Sequence, residues 1–134
     1  MSSYGRTALV VGSFDDALTN VRAVLAAEGF GVLTEIDVRA TMKAKLGIDV
    51  PSQVILGACN PPLAHRAMEI EPSIGLLLPC NVVVREVGDG TIVEAIDPGV
   101  LVEITGNPAL QPVADEVGRL LSAALDALEQ REPA

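Results

Sequence analysis

Apolar positions recur along this chain with two spacings, two and three-to-four residues, and the switches between them lay out its elements. "GRTALVVG" at residues 5–12 is β-branched and aliphatic and stops at Gly12, so it reads as a strand. In the next segment Phe14, Ala17, Leu18, Val21 and Leu25 return at helical spacing. Ser13 with Asp16 three residues on resembles a capping box, and Gly29 supplies the stop. "GVLTEID" at 31–37 predicts a second strand, with Glu35 and Asp37 on one face by its period of two. Asp37 is placed to cap a short helix "VRATMKAKL", which Gly47 ends. "SQVILGAC" at 52–59 is almost wholly apolar, as a central strand should be.

Asn60 then caps a further short helix with Pro61 at its first position, where a missing N–H costs nothing. That helix stops before Pro72. "NVVVREV" and "TIVEAID" flank "GDG" and predict a β-hairpin. "DPGVLVEITG" alternates like a strand, but the Asp97-Pro98 cap and the Gly106 stop favour a short helix. Asn107-Pro108 opens a long helix, on which Leu110, Val113, Ala114, Val117, Leu121, Ala124, Leu125 and Leu128 form one wide stripe. Two long helices with one apolar stripe each need a sheet face to cover. The predicted fold is α+β: a two-layer sandwich of β-α-β4-α order. It has one mostly antiparallel sheet, two long helices on one face and short helical inserts, in a single domain over 1–134. A pocket between the C-terminal helix and the sheet suits this shape.

Composition narrows the function. Apolar residues are 49% of the 134 and aromatics 2%, with no Trp, so the core is aliphatic and no ring platform exists for single-stranded nucleic acid. The net charge is −9, which repels nucleic acid and anionic membranes. The one basic cluster, Arg39, Lys43 and Lys45, reads as a solvated helix face. No apolar run reaches the roughly 18 residues of a membrane span. "MSSYGRTALVVG" lacks the charged start and long apolar stretch of a signal peptide. A cytoplasmic location follows as the expectation, with both cysteines reduced. A mean hydropathy of +0.41 in so small a chain implies apolar surface beyond one core and hence self-association.

One long stretch, "ILGACNPPLAHRAMEIEPSIGLLLPCNVVV" at 55–84, holds both cysteines and the only histidine. With "GNP" at 106–108 and "GFGVLTEIDV" at 29–38, it closely resembles the "domain of unknown function 302" family of small bacterial and archaeal proteins. The likeness covers essentially the whole chain. The resemblance implies a β-α-β4-α arrangement like the TATA-binding-protein-like and helix-grip architectures, and a homodimer. It implies no particular reaction and, given the acidic balance, no DNA binding.

Candidate chemistry centres on the same stretch. Cys59 precedes a predicted helix N-terminus, where the macrodipole favours thiolate. His65 lies in that helix's second turn and leans back toward Cys59. The pair suits nucleophilic or redox chemistry, while the plainer reading of Cys59 is a small buried hydrophobe at a strand end. At about 100° per residue, His65, Arg66 and Glu69 share the side away from Leu63, Ala64, Ala67, Met68 and Ile70. They form either a solvated face or the polar lining of a pocket or subunit contact. Cys59, His65 and Cys80 lack the spacing and number of a structural zinc set, so no metal is expected. Asp37 reads as a helix cap and Glu35 as a residue on an exposed strand face or in a pocket. No phosphate-loop sequence is present and no cofactor is indicated.

The leading expectation is therefore a homodimeric small-molecule-binding module, with Cys59, Asn60, His65, Glu35 and Cys80 as ligand-binding candidates. The alternatives are a thiol-dependent enzyme or redox protein using Cys59 and His65, and a purely structural interaction module. A pocket lined by Cys59, His65 and Glu35 favours the first two; a sealed core around Cys59 favours the third.

Overall fold

Five strands pair side by side in the order β1-β5-β4-β3-β2, antiparallel at every junction. The computed structural model describes residues 3–131. In chain order it runs β1 (Gly5–Val10), α1 (Phe14–Ala27), β2 (Gly31–Asp37), α2 (Val38–Leu46), β3 (Gln53–Cys59) and α3 (Pro61–Ile70). A 3-10 turn, Pro72–Leu77, leads to β4 (Cys80–Val87), β5 (Gly90–Ile96) and α4 (Gly99–Thr105). A second 3-10 turn, Pro108–Leu110, enters α5 (Gln111–Glu129). The architecture is the α+β arrangement that the hydrophobic pattern predicts. The ambiguous "DPGVLVEITG" is helical, with Asp97 Oδ1 accepting from Gly99 N at 3.0 Å and Gly106 closing the helix at φ 64°.

Local chemistry sets the boundaries. Ser13 Oγ accepts from Asp16 N at 3.1 Å and starts α1. Asp37 Oδ1 accepts from Ala40 N at 2.9 Å and starts α2. Both satisfy N–H groups that a helix start leaves without partners. The β4–β5 hairpin turns on Gly88 and Asp89, and Gly88 supplies the positive φ of 55°.

The core lies between one sheet face and the long helices. Ala8, Leu56, Val82, Val84 and Val93 point from the sheet toward α1 and α5, which bury Val21, Leu121, Ala124 and Leu128 against them. The other sheet face is turned away from α1 and α5. It carries Leu9, Ile36, Ile55, Val83, Ile92 and Val87, and Leu9, Ile36 and Val87 are exposed. Among the described residues, the charged strand residues there are Arg85 and Glu94, bonded to each other at 2.9 Å.

One irregularity matters for the site. Val32 pairs with Ala58 and Thr34 with Gly57, so Leu33 is an extra, unpaired residue. This β-bulge inverts the phase of the strand after it. Glu35 and Asp37 consequently face the helix side, opposite Leu56 and Val54.

Gly57 is held to glycine by its neighbours. A Cβ there would stand 2.1 Å from Thr34 Oγ1 and 2.7 Å from Pro79 Cγ, whereas one at Gly75 would meet nothing within 4 Å. Gly57→Ala should cost about 1–3 kcal/mol, the usual range for overpacking. Gly75→Ala should stay within about 0.5 kcal/mol of wild type. Urea midpoints for the two variants decide it; equal stabilities would mean that Pro79 and Thr34 yield freely.

Candidate functional site

A cavity of about 270 Å³ opens beneath α3, between the ends of β3 and β4 and the first half of α5. The elements build it in a simple way. Leu63 and Ala67 turn inward from α3, and Val113, Ala114 and Val117 turn toward them from α5. Ala58, Cys59 and Cys80 form the strand-end wall. The short α3 does not fill the space that α1 fills elsewhere on the sheet. Leu33, thrown outward by the bulge, and Met68 stand at the margin, 66% and 46% exposed.

The polar inventory is small. Its lining residues with polar side chains are Asn60, Cys59 and Cys80, and none is acidic or basic. Asn60 Oδ1 accepts from Leu63 N at 3.3 Å, and this assigns its amide group to the other side. That Nδ2 sits against Gly29, where a Cβ would come within 3.1 Å of it. Gly29 adopts φ 83°, so it serves both the turn and the close approach.

The first turn of α3, Pro61 to Ala64, has no spare donors. A helix normally offers four free N–H groups at its N-terminus, and these attract anions. Here Pro61 and Pro62 carry none, Leu63 N bonds Asn60 Oδ1, and Ala64 N bonds Asn60 O at 2.9 Å. With no cation in the lining either, nothing in the cavity compensates a negative charge.

The two cysteines share the site. Cys80 pairs with Ala58 across the ladder, one residue before Cys59. Cys80 is 7% exposed. Burial, with a smaller contribution from Cys59, pushes its thiol up from 9.0 to about 11. Cys59 is half-buried, and both are free.

Of the five residues singled out by sequence, Cys59, Asn60 and Cys80 meet at this cavity. His65 and Glu35 do not. His65 is 76% exposed on the outer side of α3, with Nδ1 3.6 Å from Glu69 Oε1. The backward lean of a helical side chain does not overcome its placement about 100° round from Ala64. Glu35 is carried to the helix side by the bulge and pairs there with Arg22 of α1. Among the described residues no group of three or more His, Cys, Asp or Glu is arranged to hold a metal ion. No described helix is long and apolar enough to cross a membrane.

Sequence reading missed Leu33 and the α5 residues as site components. It expected a pocket between the C-terminal helix and the sheet without naming the residues of the stripe that line it, and the bulge has no local signature. It also took Gly106-Asn107-Pro108 only for cap chemistry. Asn107 does cap, accepting from Ala109 N at 3.0 Å, but its Nδ2 also donates to Glu71 Oε1 at 3.1 Å. That bond ties the end of α3 to the entry of α5, on either side of the cavity.

The model of the family described as "domain of unknown function DUF302" matches residues 7–128. The chain belongs to the DUF302 family. The crystal structure of an uncharacterized conserved DUF302 protein from Bacillus stearothermophilus is similar throughout. Its TM-score is 0.87 and its identity 31%, covering 93% of this chain and 98% of that one. No curated protein matches the chain. Membership in DUF302 thus establishes the fold and brings no reaction with it.

Burial of Cys80 links the site to stability. The folded state holds its thiol proton more tightly than the unfolded chain does. That contribution is complete below pH 9.0 and is lost as pH rises toward about 11. Two pH units correspond to about 2–3 kcal/mol. Urea unfolding between pH 8 and pH 11 should show wild type losing more stability than Cys80→Ala by about that amount. Parallel curves would refute burial of a neutral thiol.

Proposed function

We propose that this protein is a cytoplasmic homodimer that binds a small, uncharged, mostly apolar molecule in the cavity beneath α3. The observation that carries the reading is the lining: about 270 Å³ bounded by aliphatic side chains, with one amide and two thiols and no charge. Sites for drug-sized ligands run from ~300 to ~1,000 Å³ and use a few placed polar groups. This one suits a smaller molecule with a single hydrogen-bonding end directed at Asn60. A ligand with a carboxylate or phosphate would meet neither a cation nor a free helix N–H.

The alternatives gain less. A Cys59–His65 enzyme needs the imidazole near the thiol, and His65 stands on the outer side of α3 beside Glu69. A purely structural module is favoured by a sealed core at Cys59, whereas Cys59 borders open space.

The uncovered sheet face supports the dimer. Its charges, Arg85 and Glu94, neutralise each other, while the rest of a chain of net charge −9 repels its copies. A second copy is therefore admitted most easily there, sheet against sheet, at the ordinary ~10 Å spacing of stacked sheets. Sedimentation at micromolar concentration should give twice the 13.9 kDa chain mass. Val83→Arg, on that face, should shift the protein to monomer; a monomeric wild type removes the dimer from the proposal.

The ligand reading is tested with N-phenyl-1-naphthylamine, an uncharged fluorescent probe. Its emission should rise on binding. Ala64→Phe, which fills the cavity from its half-exposed margin, should weaken binding at least about tenfold, an order of magnitude set by overpacking costs. Unchanged binding by Ala64→Phe, or none by wild type, would overturn it.

A further inference from the structure

We infer that the exposed apolar end of α2, Leu46 with Ile48, packs against Leu9 and Val11 at the end of β1 in a second copy of this chain, across a two-fold axis parallel to the strands. The inference rests on the dimer reading above and specifies which surfaces meet and in which orientation.

α2 is a helix that the single chain leaves unfinished. It has 9 residues, and none is buried. A helix that short is marginal in water unless an apolar face is packed. Val38, Met42 and Leu46 lie four residues apart and form such a face. Val38 and Met42 are half-buried beside the last rung of β3 and β4, where Gln53 pairs with Arg85. Gln53 and Arg85 alternate with the buried Val54 and Val84, so this contact lies on the sheet face turned away from α1 and α5. Leu46 and Ile48 continue the stripe outward and are 65% and 46% exposed.

A matching patch stands at the opposite edge of the same sheet end. β1 and β2 are the edge strands, and they run in the same direction because every junction between them is antiparallel. Both therefore finish at one end of the sheet. There β2 passes into α2, and β1 carries Leu9 and Val11, 69% and 80% exposed. Leu9 belongs to the uncovered face, since its neighbour Ala8 is buried on the other. Stacking two uncovered faces about a two-fold along the strands keeps like ends together and exchanges the edges. The β1 end of each copy then falls against α2 of the other, and the contact forms twice. A two-fold across the strands sets α2 over the partner's Gly31–Cys59 rung instead, a glycine and a half-buried thiol.

Charge agrees with the first arrangement. α2 carries Arg39, Lys43 and Lys45 and no acid, in a chain of net charge −9. Asp15 and Asp16 open α1 just after Val11. Among the described residues Arg39, Lys45, Asp15 and Asp16 take part in no ion pair. The two-fold along the strands brings the cationic helix to this acidic end of β1, which offsets the repulsion between two acidic chains.

Sedimentation over a range of concentrations gives the dimer constant of the full chain. Leu46→Lys and Val11→Glu should each weaken it at least about tenfold, as loss of a buried apolar anchor does. Both positions are exposed in the single chain, so its circular dichroism should not change. The double variant sets the new charges against each other at both contacts and should recover most of the loss. Tyr4→Glu, at the other end of β1, should leave the constant unaltered. Single variants without effect, or a double variant no tighter than either single, would overturn the inference. A loss at Tyr4 with none at Val11 would overturn it too, by marking a two-fold across the strands. If Val83→Arg gives monomer while Leu46→Lys and Val11→Glu stay dimeric, the sheet contact stands and this arrangement alone fails. A monomeric wild type removes both.

Discussion

Everything in this molecule follows from covering one face of a five-stranded sheet with too little helix. The apolar stripe of α5 runs the length of the helix, from Val113 to Leu128. Its second half lies against α1 and β1, where Leu121, Ala124 and Leu128 are almost wholly enclosed. Its first half, at Val113, Ala114 and Val117, lines the cavity beneath the short α3. Helical residues that in a thicker layer would touch other side chains instead border empty space. The cavity is thus a consequence of helix length and spacing, and its apolar walls are the continuation of the core that holds the fold together.

The elements were legible because their causes are local. Ser13, Asp37 and Asn60 act on N–H groups two or three residues away, and Gly47 and Gly106 stop helices by their own φ. The α5 stripe is a matter of spacing alone. What escaped reading has non-local causes. The bulge at Leu33 depends on how β2 meets β3, so alternation put Glu35 and Asp37 on one face without telling which side of the sheet that face is. The cavity depends on which half of α5 finds a partner. His65 illustrates a third limit: it sits in the expected turn of the expected helix, and a rotation of one residue separates it from the thiol it was paired with.

The proline pair after Asn60 shapes the site's chemistry as much as any residue that lines it. Proline is admitted at a helix start because the N–H it lacks would have had no partner. Two in succession, followed by a capped third residue, convert a common anion-binding feature into a closed one. Together with the acidic surface, this sets the cavity apart from the phosphate sites of many small α/β proteins. The selectivity is negative: it comes from donors withheld.

The strand order also governs when the protein can form. β1 lies at one edge of the sheet and pairs only with β5, with Gly5 opposite Ile96. The ladder therefore joins segments some ninety residues apart, with three other strands made in between. At the ~5–20 residues per second of synthesis, β1 and α1 wait roughly 5–20 s for their sheet partner to emerge. The β2, β3 and β4 segments are neighbours in sequence as well as in space, so they have short loops to close and can pair earlier. β1 is thus made before every other strand of its sheet yet waits for β5 to pair, and its apolar side must be tolerated or shielded until that strand emerges.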